Sequence, residues 1–342
     1  MSLVSLFLVV ASSAYAQPWG AWLNSPSTTH SSVQLPNSAS LNFAGGSFTF
    51  EAWVNLVSPQ SCASIAGNGW TQSQWIGICS SSLRSYIKGS ASLFDAGTIP
   101  TNNWTHIAVT FDAATNVRSH YIDGELQGQR TETSGITPGP GPWRLLSDVE
   151  YEFTPMGAIE EVRFWNVART RDQIRSTINR ELRTAQPGLV SVYALEGSVG
   201  DAVSTNHATK SGPAGFVNVV PSVCTASTTQ ICIGAGNRFA VSATFRRDAG
   251  TGVTGDAGVV SFSTPESGIF WFFGANNWEM MTKVLNGCGI NSRHWVFTSA
   301  VTDQHFELVV TDTSTGRVKR YFNYAGAPAP AITDIDAFAT CP

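Results

Sequence analysis

The stretch Gly157 to Ile174, GAIEEVRFWNVARTRDQI, constrains the fold more than any other, because a strand pattern runs directly into a helix-start signal. Its first half has period two, with one set of alternating positions formed by Ile159, Glu161, Arg163 and Trp165 and the other by Glu160, Val162 and Phe164. Apolar residues occur in both sets. The pattern therefore predicts a strand that lies between two layers.

The second half of the stretch predicts a short helix. Thr170 precedes Gln173 by three residues, which is the spacing of a capping box. Ile174, Ile178 and Leu182 follow at i+4 spacing, so they fall on one face. We expect one buried stripe on this helix.

The segment resembles the end of the laminin G-like and pentraxin-like jelly roll, a concanavalin-type lectin fold in which Gly-x-Ile-x-x-Val-x-x-Trp precedes a helical turn. Trp104 to Leu126 resembles the central hairpin of that family, with Asp123-Gly124 at a second hairpin tip. Ser40 to Leu56 resembles its opening strands. The resemblance implies an all-β jelly-roll sandwich over about the first two thirds of the chain, with tryptophans at the inward positions Trp53, Trp104 and Trp165. It does not specify a ligand.

The chain of 342 residues is long enough for two domains. Residues 1–16 have an apolar run followed by Ala14-Tyr15-Ala16, which predicts a secretory signal peptide and an extracellular or periplasmic protein. Residues 17–220 are the predicted jelly roll, and residues 221–342 the predicted second domain. No other apolar stretch approaches the ~20 residues of a membrane span.

The second domain is predicted to be a smaller immunoglobulin-like β-sandwich. Seven short strand patterns alternate with turn residues, in the ranges 238–246, 258–263, 269–273, 279–285, 294–299, 305–311 and 318–322. The GIFWFF and RHWVF runs, with LNGC between them, resemble a module at the C-termini of bacterial secreted proteins. That resemblance implies a bacterial source and no particular chemistry.

Charge argues against a nucleic-acid partner. The chain has 20 Lys and Arg against 24 Asp and Glu, a formal net charge of -4, and no basic run. Charged residues are only 13% of the sequence, compared with about 25% in typical domains.

Six cysteines in a secreted chain predict three disulfides, for which sequence alone allows 15 connectivities. Cys62 and Cys79 are alone in the first domain, so we expect them to pair. In the second domain we expect a local bridge between Cys224 and Cys232 and a bridge that ties the chain end down, between Cys288 and Cys341.

The sequence shows no catalytic motif. Retaining glucanases of the concanavalin fold need the spacing Glu-x-Asp-x-x-Glu, which is absent. Glu160 and Glu161 are adjacent, so a regular strand would direct them to opposite faces.

A calcium site is implied by the resemblance. In pentraxin-like relatives the loop before the Gly-x-Ile strand supplies acidic ligands, and here that loop holds Asp148, Glu150 and Glu152. Asn68 stands where an earlier loop adds oxygen ligands in those relatives. The alternative is a solvated acidic loop end.

Three tryptophans lie in or beside segments rich in Gly, Asn, Gln and Pro, and these segments are typical of loops. They are Trp70, Trp75 and Trp143. An exposed indole can stack on a sugar ring while neighbouring amides, here Asn68 and Gln72, bind its hydroxyls. The alternative is that the indoles fold back onto the sandwich.

The sequence thus predicts a secreted, non-catalytic protein that binds a glycan or glycoprotein through loop tips of the jelly roll, with calcium as an expected aid. One alternative is a structural or adhesive surface or matrix protein without a small ligand. The other is a glycoside hydrolase whose carboxylates converge from different strands.

Overall fold

The computed structural model describes residues 22–24, 32–57, 62–89, 91–148, 155–212, 215–216, 222–247 and 254–341. Within them, the strands up to Phe216 form one sandwich and the strands from Gln230 onward form a second. The predicted signal peptide and the predicted boundary after residue 220 lie outside the described residues.

The first sandwich consists of an eight-stranded and a seven-stranded sheet. Its strands are β1 (Trp22–Asn24), β2 (Ser32–Gln34), β3 (Phe48–Leu56), β4 (Ala63–Gly67), β5 (Trp75–Cys79), β6 (Ser82–Tyr86), β7 (Phe94–Thr98), β8 (Thr105–Asp112), β9 (Val117–Ile122), β10 (Glu125–Thr131), β11 (Arg144–Leu145), β12 (Gly157–Trp165), β13 (Leu189–Tyr193), β14 (Thr209–Ser211) and β15 (Gly215–Phe216). One sheet has the order β10-β9-β8-β3-β12-β1-β15, with β13 also paired to β12, and the other the order β14-β2-β11-β4-β5-β6-β7.

The main core lies between these two sheets and is built from alternate residues of their strands. On β8, Ile107, Val109 and Phe111 point into it. Trp104 is buried too, but in a separate cluster with Trp53, on the opposite face of the eight-stranded sheet. The prediction that these tryptophans point between the sheets was therefore wrong, although their burial was correctly expected.

A β-bulge changes the phase of β12. Its pairing with β3 shifts between Glu160 and Arg163, and Glu161 has a φ of 46°. The extra residue brings Ile159 and Val162 onto the same inner face, where both are fully buried in the core. Ala158 and Trp165 belong to separate buried clusters outside that core, and every residue of β12 is buried. The prediction of apolar residues on both faces of a strand that lies between two layers is therefore confirmed.

The helix α1 (Arg171–Thr177) begins as predicted. Thr170 caps it, and the reciprocal bond from the Gln173 side chain completes the capping box. Ile174, Ile178 and Leu182 are all buried, as expected. The helix ends at Thr177, however, and the three side chains belong to three separate clusters, so the prediction of one continuous stripe on a helix face was wrong.

The second sandwich has two five-stranded sheets. Its strands are β16 (Gln230–Ile233), β17 (Phe239–Arg246), β18 (Thr254–Asp256), β19 (Gly258–Val259), β20 (Ser267–Trp271), β21 (Trp278–Asn286), β22 (His294–Ala300), β23 (His305–Asp312), β24 (Arg317–Asn323) and β25 (Ile332–Phe338), with the short helix α2 (Cys288–Asn291). All seven predicted strands are present, and β16, β18 and β25 are additional. These three lack a long apolar run. β16 and β18 both pair with the longer β17, and β25 pairs with β22.

The cysteines pair as expected, in bridges Cys62–Cys79, Cys224–Cys232 and Cys288–Cys341. In the part of the chain that the structure covers, no helix has the length and apolarity needed to cross a bilayer.

The second sandwich packs on the outer face of the eight-stranded sheet. Phe322 of β24 stacks on Trp53 of β3 with ring centroids 6.3 Å apart, and the Arg320 guanidinium lies 5.8 Å from the Trp53 ring. Nearby, Arg175 of α1 lies over the ring of Tyr324 at 3.4 Å. One face of the jelly roll is therefore covered, whereas these contacts do not involve the outer face of the seven-stranded sheet.

Candidate functional site

An aromatic cluster lies on the outer face of the seven-stranded sheet. Trp75 of β5 is paired with Tyr86 of β6, and their rings are 5.3 Å apart. The Trp75 indole lies flat on the sheet, because a Cβ at Gly77 would come within 2.3 Å of its ring. The glycine thus provides the space in which the indole rests.

Trp70 lies at the outer edge of this cluster. Its ring is 6.2 Å from that of Tyr86, and it is partly exposed whereas Trp75 is buried. The Cys62–Cys79 bridge joins the ends of the segment that carries Trp70 and belongs to the same cluster. The segment between β4 and β5 is thereby fixed at both ends.

Buried polar groups hold the turn that presents Trp70. The Trp70 backbone N–H donates to Asp148 Oδ2 at 2.9 Å, and the Gln74 N–H donates to Asn68 Oδ1 at 3.2 Å. Asp148 and Asn68 are both buried. Because buried amides need partners, these side chains fix the backbone on either side of Trp70.

An ion pair lies beside the aromatic cluster on the same face. Arg84 of β6 makes a two-pronged contact with Asp95 of β7, with N···O distances of 2.6 and 2.7 Å. The hydrogen bond to Asp95 raises the pKa of Arg84, and Tyr86 adds to the effect. Both charged groups are partly exposed. The aromatic cluster, of which Trp70 is the partly exposed member, thus lies on the same face as a fixed ion pair.

The predicted sugar-binding residues differ in position and in exposure. Trp70 and Gln72 are at the surface of the turn, and Asn68 lies beneath them. Trp75 and Trp143 are only 2% and 1% exposed, so the prediction that they are exposed loop tryptophans was wrong. Trp143 lies in the main core against Phe43 and Phe164, and its Nε1 donates to the Leu41 carbonyl at 3.1 Å.

Sequence reasoning missed Arg84, Tyr86 and Asp95 as members of this site. The signal was present in β6, where Ser82, Arg84 and Tyr86 alternate with the core residues Leu83 and Ile87. Two strands must be paired, however, before these side chains are known to adjoin Trp70.

The predicted calcium ligands are only partly described. Glu150 and Glu152 lie outside the described residues. The carboxylate of Asp148 is fully buried and the Asn68 amide nearly so, and each accepts a backbone N–H of the Trp70 turn. Calcium takes six to eight oxygen ligands, so these two groups do not by themselves form its site. Among the described residues, Cys288, His294 and Cys341 place ligand-type atoms together, but the two cysteines are bridged to each other.

Glu160 and Glu161 do not point to opposite faces. Because of the bulge, both line one cavity of about 30 Å³ at the junction of the two sandwiches. Burial and then the neighbouring Glu161 raise the pKa of Glu160 well above its usual value. Burial acts in the same direction on Glu161, but Arg163 and Arg183 outweigh it and lower the pKa.

Such a divergent carboxyl pair is typical of acid–base sites. This cavity, however, has room for little more than water. A polysaccharide therefore cannot reach these two carboxyl groups.

A second buried charge cluster has a structural role. Glu51 of β3 contacts Arg169, Arg163 and His106 and is itself fully buried. Although burial opposes it, the hydrogen bond with His106 and the charge of Arg169 lower the pKa of Glu51 to about 2. These contacts tie α1 and the chain before it to the sheet.

Comparison with known proteins supports the fold. Residues 27–175 match the profile of the concanavalin A-like lectin/glucanases superfamily. A Bacteroides ovatus protein whose proposed role is carbohydrate binding shares 21% identity at a TM-score of 0.49, over 58% of this chain and 60% of that protein. The pentraxin of Limulus polyphemus shares 11% identity at a TM-score of 0.43, over 60% of this chain and 99% of the pentraxin.

A third similar structure is the CBM40 of the Ruminococcus gnavus IT-sialidase, with 16% identity and a TM-score of 0.36 over 47% of this chain and 95% of that domain. The comparison with curated proteins gave no match. Residues 27–175 are therefore similar to the concanavalin A-like lectin/glucanases superfamily, and the two-sheet sandwich that contains them has a jelly-roll fold of that class.

Proposed function

We propose that this chain is a secreted, non-catalytic protein that binds a glycan on the outer face of the seven-stranded sheet. The observation that carries the proposal is the partly exposed Trp70, which packs on Tyr86, with Arg84 of the Arg84–Asp95 pair two residues before that tyrosine on the same strand face. An indole can cover the apolar face of a sugar ring, and charged groups beside it can bind the hydroxyls. The lectins of the superfamily are in keeping with a carbohydrate ligand.

The rigidity of the site favours binding over a purely structural use of Trp70. A disulfide and two buried side-chain acceptors fix the turn, so little conformational entropy would be lost when a ligand stacks on the indole. Three disulfides also favour an oxidising, extracellular location.

A glycan array tests this proposal. We expect binding by the intact protein, and a loss of about tenfold or more in affinity for Trp70→Ala. Trp278→Ala is the matched control, because it removes a 52% exposed indole from the second sandwich. Equal binding by the Trp70→Ala variant and the intact protein would refute the site.

Each array is run with calcium and again with a chelator. If calcium assists through the acidic loop, binding should weaken with the chelator, and a variant with Glu150→Gln and Glu152→Gln should lose that dependence. Equal signals in both buffers would reject the calcium role and leave the glycan site standing.

A second candidate function is adhesion through the second sandwich. Large apolar side chains are exposed there, namely Phe262, Phe273, Trp278, Met281 and Ile335, at 44–65% of their surface. This observation favours the structural alternative. Concentration-dependent self-association in light scattering, abolished by Met281→Lys, would support it.

A further inference from the structure

A groove of about 630 Å³ lies where the two sandwiches meet. The jelly roll contributes the end of β7, with Thr98, and the turn from β9 to β10, with Asp123 and Gln127. The second sandwich contributes Arg246 at the end of β17 and His305 at the start of β23. Its volume is within the range of ligand pockets, which occur preferentially between domains.

The jelly-roll wall of the groove is fixed by contacts just behind it. Arg175 donates from Nε to the Gly124 carbonyl at 3.0 Å and from Nη2 to Glu125 Oε2 at 2.9 Å, and it also lies over the Tyr324 ring. Asp123 Oδ1 accepts the His106 N–H at 2.8 Å. The turn is thus held to the helix and to the second sandwich before any ligand arrives.

Two polar atoms of the other wall are buried without a hydrogen-bond partner among the described residues. They are Arg246 Nε and His305 Nδ1. Burying such groups unsatisfied is costly, so natural structures provide a partner for nearly all of them. Both residues line the groove, and a polar ligand that shifts their side chains slightly would supply the missing partner.

The charges of the lining indicate the class of ligand. Glu125 is neutralised by Arg175, which leaves the Asp123 carboxyl facing the Arg246 guanidinium. Burial lowers the pKa of His305 to about 4, so the imidazole is neutral at pH 7. Burial and then Glu307 raise the pKa of Asp123 to about 7. The Asp123 carboxyl and the Arg246 guanidinium thus offer a hydrogen-bond acceptor and a donor in one groove, beside an uncharged imidazole.

We propose that this groove binds a neutral saccharide of one or two rings. A sugar hydroxyl can donate to Asp123 and accept from Arg246, whereas an ion could use only one of the two walls. The groove differs from the Trp70 surface in position and in requiring both sandwiches. The second sandwich is then part of a binding site and more than a spacer.

The proposal is tested by isothermal titration calorimetry of the full chain. The neutral ligands are glucose, galactose, mannose, N-acetylglucosamine, lactose and cellobiose, and the charged comparators are glucuronate and glucosamine. We expect binding of at least one neutral sugar, weakened about tenfold or more by Arg246→Gln and by His305→Ala. Arg247→Gln is the matched control, because that arginine is exposed and does not line the groove.

Two further variants distinguish a loss of groove binding from misfolding and from binding at the Trp70 surface. Gln127→Ala changes an exposed lining side chain, so it should weaken binding even if the Arg246 variant does not fold. Trp70→Ala should leave this binding unchanged, which distinguishes the groove from the proposed glycan surface. Binding only of the charged comparators, binding unaffected by the lining variants, or no binding of any neutral sugar would overturn the proposal.

Discussion

At the residue scale, burial decides what each tryptophan does. Trp70 and Trp143 both follow glycine-containing segments, yet one is partly exposed and the other fills the core between the sheets. The difference comes from partners that are distant in sequence. The Trp143 indole donates to the Leu41 carbonyl, 102 residues away, whereas the Trp70 backbone N–H donates to Asp148, 78 residues away.

Trp143→Ala tests this assignment. Truncating a fully buried aromatic side chain in a core should lower the free energy of unfolding by about 3–5 kcal/mol. Urea denaturation followed by fluorescence measures it, with Trp278→Ala as the exposed control, for which we expect a change within about 0.5 kcal/mol. Similar losses for the two variants would contradict the burial described here.

At the scale of elements, one extra residue in β12 determines where two carboxyl groups lie. The bulge at Glu161 turns Glu160 and Glu161 into the same cavity, next to Lys319 and Arg320 of the second sandwich. A regular strand would have separated them. The bulge in β12 therefore creates a buried pair of carboxyl groups that the alternation of side chains along a regular strand does not predict.

The raised pKa of Glu160 has a consequence for stability. Its folded-state pKa lies above the unfolded value, so this group favours the folded protein at low pH, and the benefit is lost as pH rises through the folded pKa. Glu160→Gln should therefore raise the melting temperature at pH 7 and leave it nearly unchanged at pH 4.

Calorimetry at the two pH values measures this difference. Glu266→Gln, on an exposed turn, is the matched control and should have no effect at either pH. A variant that is less stable than the parent at pH 7 would show that Glu160 is ionised in the folded protein.

At the scale of the whole molecule, the two sandwiches share an aromatic and charged junction. Trp53 is packed against Phe322 and Arg320, while Lys319 Nζ lies 3.4 Å from Glu181 Oε1. Such contacts favour cooperative unfolding over independent melting of two domains.

Phe322→Ala tests that coupling. Loss of about 1–2 kcal/mol of packing should lower the first melting temperature by roughly 2–8 °C and separate one calorimetric transition into two. Phe297→Ala, on the other sheet of the second sandwich, is the control and should lower stability without separating the transitions. A separation already present in the parent protein would mean that the junction does not couple the domains.

The sequence by itself determined what local chemistry and spacing control. The capping box at Thr170, the Asp123-Gly124 turn and the seven main strands of the second sandwich follow from short-range patterns. The cysteine pairs were correctly expected from the positions of the six cysteines along the chain. The resemblance carried by the Gly157 to Ile174 segment implied the jelly roll, and residues 27–175 match its superfamily.

Only the tertiary structure decided the positions of the candidate sites. Trp75, Tyr86, Arg84 and Asp95 share one face because β5, β6 and β7 pair, and the groove exists because the second sandwich docks on the first. A bulge, a docking surface and the burial of an indole all depend on contacts between residues far apart in sequence. Local periodicity contains no information about such contacts, which is why it placed Trp143 and Glu161 incorrectly.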